Sequence, residues 1–539
     1  MAAKKQTIVN VVLKTGVQPR PPVVVVVGHV DHGKTTLLDY VRKANVAARE
    51  AGGITQAVGA YEIERTVRGA EENESGEPRK ITFIDTPGHE AFSAMRSRGA
   101  TIADLAILVV AADEGVKPQT REAIKILEET KTPFVVALNK IDKAGLGGIE
   151  KTKAALAEAG VLLEGYGGQV SWHGISAKTG EGVDDLLDLI LLAADVEGLT
   201  YDPGAAGSGF VLEVKRDPRR GIEASVIIKD GVLRRGDAIA TSTAGGKVKI
   251  LEDFAGRAAG ELAPSAPALI IGFETLPQVG EEFTVGAVHD PSRLSPNVAK
   301  KNAPEGRVAA AARGVAPTGA SAKNTNTLNL ILKASDAGSL EVLSVVLKNV
   351  HAQNAAGAGG GATGAANKEV RIIDESVGDI TDGDVRHASA TGSTIIGFKN
   401  RIEKGARNLA DAQSIEIITS NIVYDLSKAV EEFLTGKRGP AAAGELEVLA
   451  IFNQDKLDKQ LVGGRVIAGT FRAKATCEIM RLQQGADSSD APAAIGTGRV
   501  LELREKKSEI ASAEKGKEIG VLLSAQALVQ AGDKLIIKK

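Results

Sequence analysis

The run VVVVVGHVDHGKTT, Val23 to Thr36, constrains this chain more than any other segment. A short continuous apolar run of β-branched residues reads as a strand buried on both faces. It leads directly into Gly28-His-Val-Asp-His-Gly-Lys-Thr35, which fits G-x-x-x-x-G-K-[ST], and a helical stretch follows. Glycines at that place let backbone N–H groups approach phosphates, and the helix N-terminus adds a favourable dipole. In this reading Gly28, Asp31, His32, Gly33, Lys34, Thr35 and Thr36 form the nucleotide cradle. Lys34 bridges the β- and γ-phosphates and Thr35 ligates Mg²⁺. His32 suits loop packing or the phosphate side better than the role of a base. The bland alternative is a fortuitous glycine-rich turn, which the flanking strand and helix argue against.

Three more apolar runs, ITFID (Ile81 to Asp85), LAILVVAA (Leu105 to Ala112) and FVVALN (Phe134 to Asn139), read as strands of the same kind. TREAIKILEET between them has its apolar residues at helical spacing. Strands alternating with helices imply an α/β domain, placed at 22–200. Asp85-Thr-Pro-Gly-His89 follows one strand. Alone it could be a β-turn, but an Asp at a strand end can hold Mg²⁺ through water, and Gly88 can offer its N–H to a γ-phosphate. Asn139-Lys140-Ile141-Asp142 follows another. The Asp142 carboxylate can accept two hydrogen bonds from guanine, whereas adenine presents the wrong pattern. This separates GTP from ATP, which the first loop cannot do. Ser176-Ala177-Lys178 then supplies a backbone contact to the guanine oxygen, a weak signal alone and persuasive in this order.

Beyond residue 200 the texture changes. At about 150 residues per domain, 539 residues suggest three to four domains. Short runs and turn signals such as DPRRG and KDG place a β-barrel at 208–290. Residues 291–326 read as a linker with a short helix near Val308 to Arg313, and 327–424 as a small α/β domain. Its Gly/Ala insert, Ala355 to Asn367, has no side chains to build a core and is expected to be a loop. A connecting helix follows at 425–437, then a C-terminal β-barrel at 445–539. A weak repeat links the two barrels: VLEVKRDPRRGIEASVII, GKVKILEDF and QVGEEFTV recur as VLAIFNQDKLDKQLVGGRVIAGTF, GRVLELREK and VQAGDKLII. That supports duplicate architecture more than duplicate function.

Composition bears chiefly on partners. Lys plus Arg number 66 against 68 Asp plus Glu, so no global charge announces nucleic acid or membrane. Residues 445–539 carry 15 Lys plus Arg against 13 Asp plus Glu, which is no basic domain. Lys215, Arg216, Arg219 and Arg220 cluster in a barrel loop, equally a phosphate contact or a solvated turn. Cys477 is the single cysteine, which excludes an intramolecular disulfide and fits a reducing compartment. The start, residues 1–21, makes a short tail and a poor signal peptide. No apolar run approaches the ~20 residues of a membrane span.

The four motifs, in order, resemble the G domain of translational GTPases. EAGGITQAVGAY, HEAFSAMRSRGA, AADEGVKPQT and, far outside that domain, VGDITDGDVRHASATGSTIIGF narrow the resemblance to the bacterial-type translation initiation factor 2 family. The resemblance runs from about Pro21 to the C-terminus and is weakest after residue 445. It implies a cytoplasmic bacterial GTPase, expected as a monomer without membrane contact. It would promote initiator tRNA binding to the small ribosomal subunit and joining of the large one, with other initiation factors as further candidate partners. GTP and Mg²⁺ are the implied cofactors. Thr55 would be the switch threonine that reaches Mg²⁺ and the γ-phosphate, beside Thr35 and Asp85. His89 would orient the attacking water, flanked by Val30 and Ile54. The competing readings are another translational GTPase, or a tRNA-binding factor in which GTP is mainly structural.

At the C-terminal barrel the chain departs from that family, whose Tyr-Glu-Cys-Gly-like and Arg-Phe-Lys segments contact the formylmethionyl end of initiator tRNA. Here they align by spacing with Lys517-Glu518-Ile519-Gly520 and Glu505-Lys506-Lys507. Lys507, Glu518 and Gly520 persist as tRNA-contact candidates; the aromatic groups and the cysteine do not. The expectation is a contact with the acceptor end that discriminates poorly for the formylated aminoacyl group; the alternative is a barrel retained only as a spacer.

Overall fold

The computed structural model describes residues 16–43, 58–65, 78–88, 90–287, 327–357, 369–434, 442–456, 459–481, 493–505, 508–514 and 516–538. The expected linker at 291–326 with its short helix, Thr55, His89 and Lys507 lie outside them. Two compact units divide the chain, Met1–Val430 and Glu431–Lys539.

The first unit begins with a six-stranded sheet. Its strands are β1 (Val23–Gly28), β2 (Gly59–Arg65), β3 (Arg79–Asp85), β4 (Leu105–Ala111), β5 (Phe134–Asn139) and β6 (Trp172–Gly174), in the order β2-β3-β1-β4-β5-β6. All neighbours are parallel except β2 and β3. Helices α1 (Lys34–Arg42), α2 (Ser93–Ile102), α3 (Pro118–Thr130), α4 (Ile141–Glu158) and α5 (Val183–Glu197) complete the domain. The valine run shows why the sheet is covered twice. Val23, Val25 and Val27 pack in one core with Ala123, Ile124 and Leu127 of α3; Val24 and Val26 face the other way, onto Leu37 and Leu38 of α1 and Leu186 and Ile190 of α5. Successive side chains alternate across a strand, so five apolar residues in a row demand two apolar layers.

A closed six-stranded barrel follows: β7 (Ser208–Asp217), β8 (Gly221–Asp230), β9 (Ala238–Ala240), β10 (Gly245–Asp253), β11 (Pro267–Phe273) and β12 (Glu282–Val285), in the ring β8-β11-β10-β9-β12-β7. It is welded to the first sheet. Asp104 accepts bonds from Arg20 at 2.6 and 2.8 Å, from Lys229 of β8 at 2.5 Å and from the Val23 N–H at 2.9 Å. Thr82 donates to the Ser265 carbonyl at 2.6 Å, and Ser265 donates to the Pro21 carbonyl at 2.6 Å. The segment expected as a tail is therefore part of the fold from Gln18 onward: Gln18–Pro19 pair with Thr200–Tyr201, and Arg20 sits in the weld.

The last part of this unit is a parallel sheet of β13 (Thr327–Ala334), β14 (Glu369–Val377), β15 (Ser393–Phe398) and β16 (Ile417–Ser420), ordered β14-β13-β15-β16. Its helices are α6 (Ala337–Gly357), α7 (Asp382–Thr391), α8 (Lys404–Gln413) and α9 (Val423–Leu434). Two expectations need correction. The Gly/Ala insert does not start as a loop, because α6 runs through Ala355 and Ala356 to Gly357; alanine is the best helix former and simply propagates the preceding turns. The connecting helix starts at Val423 rather than at 425, since buried Val423 already belongs to its apolar face; it is described to Leu434, and 435–437 lie outside the described residues.

The second unit has strands β17 (Ala442–Lys456), β18 (Lys459–Arg472), β19 (Thr476–Arg481), β20 (Ala493–Glu505), β21 (Glu518–Ala525) and β22 (Lys534–Lys538). They pair as β17-β22-β19-β20-β21-β18, and β18 returns to β17. Adding ten to each label of the first ring gives the second. The duplicated architecture thus extends to every pairing around the ring, about separate cores centred on Val226, Ile270 and Phe283 in one and on Val462, Val521 and Leu535 in the other. Among the described residues no helix is long and apolar enough to cross a membrane.

Candidate nucleotide site

Four loops converge at the carboxyl ends of β1, β3 and β5 and after β6, where open parallel sheets bind ligands. The first turns sharply because its glycines allow it. Gly28 has φ +145°, and a Cβ there would run into the Val109 carbonyl; Gly33 has φ +88°, and a Cβ there would collide with the Asn139 carboxamide. Asp31 also takes a left-handed conformation, with φ 62°. The cradle hence has bare backbone where phosphates need N–H donors. Thr35 is half-buried and Thr36 exposed at the start of α1, and His32 is wholly buried beneath the loop.

Lys34 is held inside the loop, donating to the carbonyls of Gly28 at 2.9 Å and His29 at 2.6 Å. Burial lowers its ammonium to about 8, with Asp85 acting against the shift. A phosphate would supply the missing counter-charge. Burial likewise lowers His32 to about 4, which favours the neutral imidazole.

Asp85 ends β3 almost fully buried, with Arg42 at 3.5 Å. Arg42 in turn lies over the Tyr61 ring, 3.6 Å from its centroid. Gly88 faces the first loop closely: a Cβ on it would stand 2.6 Å from Lys34 Nζ and 3.1 Å from Val30 Cγ2. A buried lysine, bare loop backbone and an acid at a strand end are chemistry that fits a nucleotide polyphosphate, and Thr35 and Asp85 are oxygen donors of the kind Mg²⁺ takes.

On the base side Asn139 is the joint. Its Nδ2 donates to the His32 carbonyl at 2.8 Å, and its Oδ1 accepts from the Ala177 N–H at 2.9 Å. Ser176 is fully buried and its Oγ accepts from the Thr179 N–H, while Lys178 is exposed. Lys140, at φ 63°, caps α4 and reaches Glu114 at 3.0 Å; that bond keeps the Glu114 carboxyl below its ordinary range. Asp142 stands exposed in the first turn of α4.

Sequence reasoning missed the residues that brace these loops. Gln119 accepts from the Val30 N–H at 3.0 Å, and buried Arg96 bridges Glu122 at 2.6 Å and the Pro87 carbonyl at 3.1 Å. Gln119 lies within AADEGVKPQT, and no spacing rule connects it to the loop. Two of the four cations in the basic cluster of the first barrel are paired: Arg220 with Glu252 at 2.7 Å and Lys215 with Glu213 at 3.3 Å.

In the second unit Glu518 is bound to Arg465 at 2.6 Å, and Lys517 to Glu505 at 2.9 Å. Gly520 lies opposite Gly463 on one side and Arg504 on the other. Phe452 of β17, 67% exposed, packs over Gly463 of β18, the strand that pairs with the one carrying Gly520.

Three family models match the chain: the Elongation factor Tu GTP binding domain over residues 20–195, Elongation factor G domain 2 over 206–286, and Translation-initiation factor 2 over 316–431. Translation initiation factor IF-2 of Rubrobacter xylanophilus is 35% identical over 522 residues, 96% of this chain and 71% of the relative. The chloroplastic factor of Euglena gracilis is 38% identical over 524 residues, and that of Aquifex aeolicus 37% over 526. The chain spans 60% and 61% of the lengths of these two. Among solved structures, GDP-bound aIF5B from Aeropyrum pernix aligns over 96% of this chain and 92% of its own at 26% identity, with a TM-score of 0.43.

Proposed function

This chain belongs to the translation initiation factor 2 family, and on that premise we propose that it is a GTP-dependent switch acting on the ribosome during initiation. The observation that carries the reading is the Asn139 joint, which ties the phosphate loop to the Ala177 loop and so couples base recognition to the phosphate cradle. Asp142 reads guanine, with Lys140 and the Ser176–Lys178 backbone closing the base side. Lys34 and the loop N–H groups from Gly28 to Thr36 neutralise the phosphates, and the Gly88 N–H meets the γ-phosphate. Thr35, Thr55 and Asp85 would hold Mg²⁺, which would supply further charge neutralisation. Hydrolysis then needs positioning more than covalent chemistry, and His89 orients the water. The initiator tRNA and both ribosomal subunits are the proposed partners.

GTP turnover with and without ribosomes tests this. The wild-type chain should hydrolyse GTP slowly alone and faster on ribosomes. His89→Ala should bind GTP nearly normally and lose about 10²–10⁴-fold of the stimulated rate. Wild-type turnover that ribosomes leave unchanged would sink the switch; a fully active variant would transfer the water to another residue.

The C-terminal barrel is proposed to touch the tRNA acceptor end through the strip around Glu518, Gly520 and Lys507, with weak preference for the formyl group. Support comes from the Arg465–Glu518 pair, which engages the acid within the barrel, and from charged residues where the family has aromatic ones. Deacylation protection of formylated and unformylated initiator tRNA should differ little. Strong formyl-dependent protection would overturn the reading.

A further inference from the structure

Helix α3 braces both loops that face the terminal phosphate position. In its first turn Gln119 Oε1 accepts a 3.0 Å hydrogen bond from the Val30 N–H, at the apex of the phosphate loop. Three residues on, Glu122 holds the Arg96 guanidinium at 2.6 Å, and Arg96 donates to the Pro87 carbonyl at 3.1 Å. Residues three apart share a helix face. One stripe of α3 therefore steadies Val30 from one side and the Pro87-Gly88 turn from the other.

The two braced loops meet. A Cβ on Gly88 would stand 3.1 Å from Val30 Cγ2 and 3.2 Å from Val30 N. With GTP bound as proposed above, the γ-phosphate lies between Lys34 and the Gly88 N–H. GDP touches the loop from Gly28 to Thr35 but does not reach Gly88. The spacing between Val30 and Gly88 thus matters to the triphosphate alone.

We propose that Gln119 is a positioning residue that sets the affinity for GTP relative to GDP, by pinning the Val30 N–H and with it the gap between the loop apex and Gly88. The inference rests on the GTPase reading and adds a determinant of nucleotide selectivity to it. Without the Gln119 acceptor, the Val30 N–H must turn toward water or another carbonyl. Arg96 is 1% exposed and anchored at both ends, so the Pro87-Gly88 turn does not follow. The misfit falls on the Val30–Gly88 contact.

The test uses the full chain and two variants of similar volume. Gln119→Met removes the acceptor, and Gln119→Glu keeps one. Dissociation constants are measured for GDP and for a non-hydrolysable GTP analogue. Gln119 also interacts with the His29 imidazole, but loss of the Val30 acceptor, which matters only to the triphosphate, should weaken the analogue about five- to tenfold in Gln119→Met, leave GDP within about twofold, and be restored in Gln119→Glu. Equal weakening of both nucleotides would reduce Gln119 to a general support of the loop and overturn the proposal. Unchanged affinities for both would overturn it as well. A wild-type chain that binds neither nucleotide would remove the GTPase reading and this inference together, which the wild-type measurement alone reveals.

Discussion

The Asn139 carboxamide donates to the His32 carbonyl at 2.8 Å across 107 residues of sequence, with both groups buried. Because the same carboxamide also accepts from Ala177 N–H, the phosphate loop and the base loop share one rigid joint. A shift of either loop breaks one of these two buried bonds.

Removing that joint should therefore affect both ends of the nucleotide. Asn139→Ala leaves a buried carbonyl and a buried N–H without partners, at about 1–3 kcal/mol each. GDP and GTP affinity should fall together by at least about tenfold. Equilibrium titration of both nucleotides checks it, and loss confined to GTP would mean that the joint serves only the γ-phosphate side.

Base identity is set separately. Asp142→Asn replaces a carboxylate acceptor with an amide, whose N–H₂ suits the 2-oxo group of xanthine. The variant should bind GTP more weakly and gain xanthosine triphosphate. Competition between the two nucleotides decides it; unchanged GTP preference would remove Asp142 from the base site.

The Asp104 weld predicts a stability effect. Burial works against its charge, but Arg20 and Lys229 outweigh burial and hold the carboxyl below its usual range. Asp104→Ala strands two cations, one of them with a side chain only 9% exposed. Breaking a buried pair from one side costs about 3–5 kcal/mol. The urea midpoint should drop, and the α/β domain and the first barrel should begin to unfold in separate transitions. A variant with the wild-type midpoint would show that the weld contributes nothing to stability.

Glu213, where the first barrel meets α6, predicts a pH dependence. Burial raises its carboxyl from 4.5 to about 7; Asp336 adds to the shift, while Lys215 and Lys399 oppose it. Between those values the folded chain holds a proton that the unfolded chain has released. Stability should thus fall as pH rises through this window and level off above about 7. The full change is on the order of 3 kcal/mol. Glu213→Gln should flatten the profile and melt higher than wild type at pH near 8. Parallel profiles for the two proteins would assign the slope elsewhere.

Much of the fold was legible in contiguous residues. Five valines in a row required a doubly covered strand, and each nucleotide loop is a local string whose turn chemistry and preceding strand sit within about ten residues. The barrels were legible as an order of short runs and turns. Their matching rings were not, because identity between them is low and strand pairing joins residues such as Glu445 and Ile536, far apart in the chain.

What the sequence determined by itself is the set of local backbone conformations: strand, glycine turn, helix, and the polar residues each turn presents. Only the tertiary structure decided how those turns are braced. Asp104 meets partners 84 and 125 residues away, and Gln119 meets Val30 across 89. Such contacts follow from which helix face packs against which sheet, a choice made by burying whole apolar layers rather than by any short pattern.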